Sequence, residues 1–212
     1  MSDWFDLVPG WLGRKLKPED GAPLQDIDAA VKKIAAQGFS VPAALRALHL
    51  RLGACKPLMR GFNRFVAPSA WKVLDGHLLF LDENQDVCQW ILDADSRVWM
   101  VVNEERHPEE LTLGDFLAVV LPYQLAQGGW PCTADMVLPL ADATAVRQKI
   151  AIELGWPEIV RHNGLTIYGK DASMLWWLDP ARDDTDQHLF VSCLHQSDLD
   201  DLCSRFGFAD LG

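Results

Sequence analysis

The chain has 212 residues, 49% of them hydrophobic and 23% charged, which is enough to bury a core without disulfides or a metal and excludes disorder and small stapled scaffolds. Its 30 acidic residues against 19 basic ones give a formal charge of −11, which argues against a sequence-independent grip on a phosphate backbone and for a basic partner. The charge is uneven: Met1 to Lys72 carries 11 basic and 6 acidic residues, and Val73 to Gly212 carries 8 and 24.

The first 22 residues mix Trp4 and Trp11 with Gly10, Gly13, Pro18 and Gly21, and predict an irregular arm whose tryptophans pack on the body or on a partner. This segment carries acid before any basic cluster and no apolar run of signal-peptide length, so a cytoplasmic protein is expected. No window reaches the roughly 20 apolar residues of a membrane span. Leu24, Ile27, Val31 and Ile34 recur at helical spacing until Gly38, predicting a helix from Gln25. A second helix follows, with Ser40 as its cap, Pro42 in its first turn and Leu45, Leu48 and Leu52 as its stripe before Gly53. Residues 54–72, where Lys56, Arg60, Arg64 and Lys72 stand among Pro57, Gly61 and Pro68, predict a loop.

From His77 the period changes to that of strands. Leu78 to Leu81 and Val87 to Leu92 predict a hairpin around the polar run Asp82, Glu83, Asn84, Gln85 and Asp86. A turn at Asp93 to Ser96 and a strand at Val98 to Val102 extend it to an antiparallel meander. After the polar stretch Asn103 to Glu110, Thr112 and Asp115 make a near capping box. The helix it starts is faced by Leu113, Phe116, Leu117, Val120 and Leu121, and Pro122 is expected to bend or end it. Gly128, Gly129, Trp130 and Pro131 mark a turn and a boundary within the chain.

Val146, Ile150 and Leu154 predict a helix closed by Gly155. Asn163 and Gly164 signal a type I′ hairpin between Ile159 to His162 and Leu165 to Tyr168. Met174 to Leu178 and Leu189 to Cys193 are strands separated by the acidic loop Asp179 to Asp186. Ser197 and Asp200 cap a last helix that turns Leu199, Leu202, Cys203 and Phe206 inward. This order predicts an α+β fold: a mostly antiparallel sheet, meander plus hairpins, flanked by helices. Three parts are expected: an irregular arm at 1–22, a core at 23–130, and an extension at 131–212 packed on the same sheet.

No catalytic, cofactor or metal site is expected. Glycine-rich phosphate loops, HExxH and GxSxG elbows are missing. Cys55, Cys88, Cys132, Cys193 and Cys203 form no CxxC and predict buried, reduced thiols. His188, Cys193 and His195 gather near one strand end, at a spacing that suits packing better than a metal. Trp176 and Trp177 are neighbours in one strand and must take opposite faces, so one of them covers a second layer or meets a partner. The candidates for partner contact are the acidic turns and one boundary tryptophan: Asp82, Glu83, Asn84, Asp86, Asp93, Asp95, Glu104, Glu105, Glu109, Trp130, Asp183, Asp184 and Asp186.

Residues 39–121 also carry an ordered set of features. A helix opens on Val41, Pro42, Ala43, Ala44, Leu45 and Arg46 and closes on Arg51, Leu52 and Gly53. Asn63, Arg64 and Phe65 follow, then Leu78, Leu79 and Phe80 running into Glu83, Asn84 and Gln85, with Val87 and Trp90 beyond and Leu113 to Leu117 as a late helix entry. This stretch resembles the SUKH superfamily, the group that includes the yeast cell-wall assembly regulator and many bacterial immunity proteins. Arg97, Val98 and Trp99 stand where the family has Pro-Pro-Val. The resemblance implies a SUKH-like fold and a non-enzymatic, cytoplasmic immunity protein that neutralises a cognate secreted toxin by direct contact. Many such toxins are nucleic-acid-directed, so a basic active-site face is expected on the toxin. Neither nucleic acid nor membrane is expected as a partner, and the chain is expected as a monomer or weak homodimer. The alternative is a regulatory or scaffolding module of the same fold that binds a housekeeping protein. Within that resemblance, Glu83, Asn84 and Gln85 serve either the partner or their own turn.

Overall fold

In the computed structural model, which describes residues 4–212, the first α-helix is α1 (Val8–Trp11), with Val8 and Trp11 both buried. The expected irregular arm is therefore partly helical. The chain divides into two units, one of Leu16–Gln124 and one of Leu125–Gly212 with the segment up to Lys15. The units divide at 15/16 and 124/125.

The Leu16–Gln124 unit opens with α2 (Leu24–Ala35) and α3 (Ala43–Leu52). They form because Ile27, Ala30 and Ile34 on one, and Leu45, Leu48 and Leu52 on the other, make single buried stripes. Pro42, not Ser40, stands at the start of α3, with no side-chain cap. The stretch expected as a loop contains α4 (Lys56–Arg60), β1 (Arg64–Phe65) and a 3-10 turn at Pro68–Ala70. Leu58, Met59, Phe65 and Trp71 are buried there, but they come singly or in pairs between basic residues and show no period.

The strands β2 (Val73–Leu74), β3 (His77–Asp82), β4 (Cys88–Leu92), β5 (Arg97–Val102) and β6 (Glu105–Thr112) follow, and α5 (Leu113–Gln124) closes the unit. They make an antiparallel sheet of order β1-β3-β4-β5-β6, with β2 on β3. The edge strand β6 was expected as a polar stretch, because most of its side chains face solvent. Thr112 and Asp115 cap α5 as expected: Thr112 Oγ1 donates to Asp115 Oδ2 at 2.7 Å and accepts the Asp115 N–H at 3.2 Å. The helix passes Pro122 and continues to Gln124 before a π-helical turn at Leu125–Gly129.

The second unit contains β7 (Cys132–Pro139), α6 (Leu140–Leu154), β8 (Glu158–His162), β9 (Leu165–Lys170), β10 (Ser173–Leu178), β11 (Asp186–Cys193), α7 (Gln196–Phe206) and β12 (Ala209–Asp210). Its strands form their own antiparallel sheet, β12-β7-β11-β10-β9-β8, instead of extending the first. The core of this unit joins Ala134, Ile150, Leu175, Leu189, Val191 and Leu199. Asn163 and Gly164 both have positive φ, 44° and 80°, as a type I′ turn requires. His195, not Ser197, precedes α7. Trp176 and Trp177 take opposite faces and both are buried: Trp176 stacks on Phe190 and donates to Ser192 Oγ at 3.0 Å, and Trp177 lies between Tyr168 and Arg147. All five cysteines are thiols; Cys88 and Cys203 are half-buried, and the other three are buried.

Candidate protein-binding surface

Chain direction in the meander decides where the acidic turns lie. Cys88, the first residue of β4, pairs with Val102, the last of β5. The turns after β3 and after β5 therefore share one end of the sheet, and the turn between β4 and β5 lies at the other.

The first of these turns is built by Glu83. Its Oε2 accepts the N–H groups of Gln85 and Val87 at 2.7 and 3.2 Å, and its own N–H donates to the Cys88 carbonyl at 3.1 Å. Arg64, opposite Asp82 on β1, pairs with the Asp86 carboxylate and reaches the Glu83 carbonyl at 3.4 Å. Asp86 has φ 60°, a conformation that short polar side chains tolerate. Asp82 accepts the Gln89 amide at 2.8 Å. Asn84 and Gln85 face solvent, and Val87 is 61% exposed, an apolar contact among the charges. Beside this turn, Asn103 and Glu104 with φ 49° and 69° make the tight connection into β6, and Glu105 follows, also exposed.

At the other end, Asp93 organises the turn. Its Oδ1 accepts the N–H groups of Asp95 and Arg97, both at 2.9 Å, and its Oδ2 accepts Trp99 Nε1–H at 3.0 Å. Burial works to raise the pKa of this carboxyl, but the Arg97 N–H, the Trp99 indole and the Asp95 N–H together hold it below the ordinary value. Asp95 is exposed. Glu109 is half-buried and accepts Trp90 Nε1–H at 2.7 Å, so its carboxylate fixes a core-facing indole.

The remaining candidates belong to the other unit. Asp183 and Asp184 are exposed between β10 and β11, and Asp186 is exposed at the start of β11. There Asp184 closes its own loop by accepting the Ala181 N–H at 2.7 Å, and Asp186 accepts the Thr185 hydroxyl at 3.0 Å. Trp130 is 3% exposed and donates its indole N–H to the Trp11 carbonyl at 3.2 Å. Its ring is not on the surface, because the turn that carries it packs against α1 within the same unit.

The structure thus gathers Asp82, Glu83, Asn84, Asp86, Glu104 and Glu105 at one sheet end and sets Asp93 and Asp95 at the other. Trp99 is half-buried and is not among the contact residues expected from the sequence. Its partner across the strands is Ile91, whereas Trp90 faces Met100, so the two indoles lie on opposite faces of the sheet. Hairpin register was the signal that separates them. Among the described residues, the Asp93 and Glu158 carboxyls are both held below the ordinary value, Glu158 chiefly by the Arg161 guanidinium. Burial pushes the Cys193 thiol up to about 11.

Among the described residues no helix is long and apolar enough to cross a membrane, and no cluster of three or more His, Cys, Asp or Glu is placed to hold a metal ion. Compared with known proteins, the chain matches no family model, no curated protein and no solved structure.

Proposed function

We propose that the chain is a cytoplasmic immunity protein, a non-enzymatic binding module that neutralises a cognate, nucleic-acid-directed toxin by direct contact. The resemblance of residues 39–121 to SUKH immunity proteins suggests the class. The observation that carries the reading is the shared sheet end on which two tight turns present Asp82, Glu83, Asp86, Glu104 and Glu105 around exposed Val87, with Arg64 and Arg106 as the nearby cations in sequence and register.

A toxin that acts on nucleic acid needs a cationic cleft. Two tight turns, with Asp86 and Glu104 on left-handed residues, hold a negative patch that fits one, steers its approach and loses little freedom on binding. Co-expression with the product of a neighbouring toxin gene tests the reading. Survival, with a stable complex on a sizing column, is expected; a toxin that kills equally with and without the chain, and forms no complex, overturns it. A complex with a housekeeping protein instead would favour a regulatory or scaffolding module.

A further inference from the structure

Trp99, whose ring lies on the sheet face opposite Trp90, helps to wall a groove of about 550 Å³. The other walls are Pro42 and Ala44 at the start of α3, Val98 on β5, and Pro108 and Leu111 on β6. A bulge shapes it. Arg97 pairs with Thr112 and Trp99 with Pro108, so Glu109, Glu110 and Leu111 together stand opposite Val98. Glu110 takes φ 53° within that bulge. Extra residues of this kind bend the strand and re-aim its side chains.

The rim is charged and unbalanced. Arg97 is the rim's one cation and is exposed. Asp95 and Glu110 are exposed at the rim, and among the described residues neither carboxylate is in an ion pair. The groove therefore combines an apolar floor with a rim on which two carboxylates outnumber one guanidinium.

We infer that this groove binds a partner segment in which a bulky apolar side chain is flanked by lysine or arginine. The inference rests on the reading of Leu16–Gln124 as a protein-binding unit, and it adds the chemistry of the segment that is bound. The volume lies in the usual range of ligand sites, and a rim with two carboxylates against one guanidinium favours a segment that carries cations beside its apolar anchor. Because Trp99 Nε1–H is already bonded to Asp93, the ring is oriented before a ligand arrives and little rotamer entropy is lost. A tryptophan fixed in this way is the type of residue on which binding energy concentrates.

The test titrates the full-length, isotope-labelled chain with a blocked Lys-Leu-Leu-Lys peptide and follows the Trp99 indole N–H resonance. A saturable shift is expected. Asp95→Asn with Glu110→Gln should weaken binding about fivefold, the scale of two exposed ionic contacts. Pro108→Lys, at an exposed edge position that tolerates substitution, should abolish the shift. Blocked Glu-Leu-Leu-Glu and Lys-Ser-Ser-Lys should leave the resonance in place. No shift with Lys-Leu-Leu-Lys, equal binding of the acidic peptide, or indifference to these variants overturns the inference. So does a concentration-dependent dimer that Pro108→Lys dissolves, because the groove would then hold a second copy. None of these readouts uses a toxin. A chain that binds the peptide but fails to neutralise therefore supports the groove and overturns only the immunity reading, whereas the reverse pattern overturns only the groove.

Discussion

Trp99 is tied to Asp93 by an indole N–H bond to Oδ2 at 3.0 Å, and the second oxygen of the same carboxylate holds the turn that separates the two residues. One side chain thus sets both the β4–β5 hairpin and the ring beside it. Asp93→Asn keeps the shape and removes the charge, and should cost about 1 kcal/mol in urea unfolding at neutral pH. The pH dependence follows from the lowered pKa. The stabilisation is present above the unfolded value and is lost as pH falls through the lower folded one. The variant should therefore lack part of the stability loss below about pH 4.

Gln124 makes a second prediction. Its buried carboxamide donates to the carbonyls of Leu58 and Asn63 at 3.2 and 2.6 Å and accepts the Asn63 N–H at 2.6 Å, fixing the backbone between α4 and β1. Gln124→Leu fills the space but leaves those groups without these partners. A loss of roughly 3 kcal/mol is expected from urea midpoints; a loss under about 1 kcal/mol would mean that the loop finds other partners.

His49 should make the unit acid-sensitive. It is fully buried on α3 against the edge of Trp71, with ring centroids 5.2 Å apart, and neither ring nitrogen has a hydrogen-bond partner. Burial lowers its pKa from 6.5 to about 4. Between these values the unfolded chain binds the proton and the folded one does not, so stability falls as pH drops from about 6.5 to 4 and levels off below. The loss attached to this residue is roughly 3 kcal/mol. His49→Leu should flatten that part of the profile, and an unchanged drop between pH 7 and pH 4 would assign the sensitivity elsewhere.

These sites show what sequence reasoning reaches. The stripes Leu45, Leu48 and Leu52, the pair Asn163 and Gly164, and the cap Thr112 with Asp115 are local patterns, and each lies where its period or turn chemistry placed it. The edge strand β6 escaped because solvent, not a core, lies along its side chains. β7 escaped because the small and polar residues Thr133, Ala134 and Asp135 give it no apolar alternation to read. The grouping of α1 with residues after Gln124 is non-local and has no sequence signature. The same holds for the candidate surface. The sequence places acids in turns, but only strand direction and register decide that Asp86 and Glu104 share a sheet end while Asp95 does not. Trp130 looked like an exposed turn residue, yet its indole is held by the Trp11 carbonyl, a partner more than a hundred residues away in the chain.

The most direct test of the account is the association rate between the chain and the basic, nucleic-acid-directed toxin proposed as its partner, measured by stopped flow at low and high ionic strength. An acidic patch that steers a basic cleft predicts a rate that falls steeply with salt and drops about tenfold when Glu104→Lys and Glu105→Lys are combined. A rate indifferent to both salt and the double substitution would contradict it and leave the acidity of this sheet end as a solubility feature.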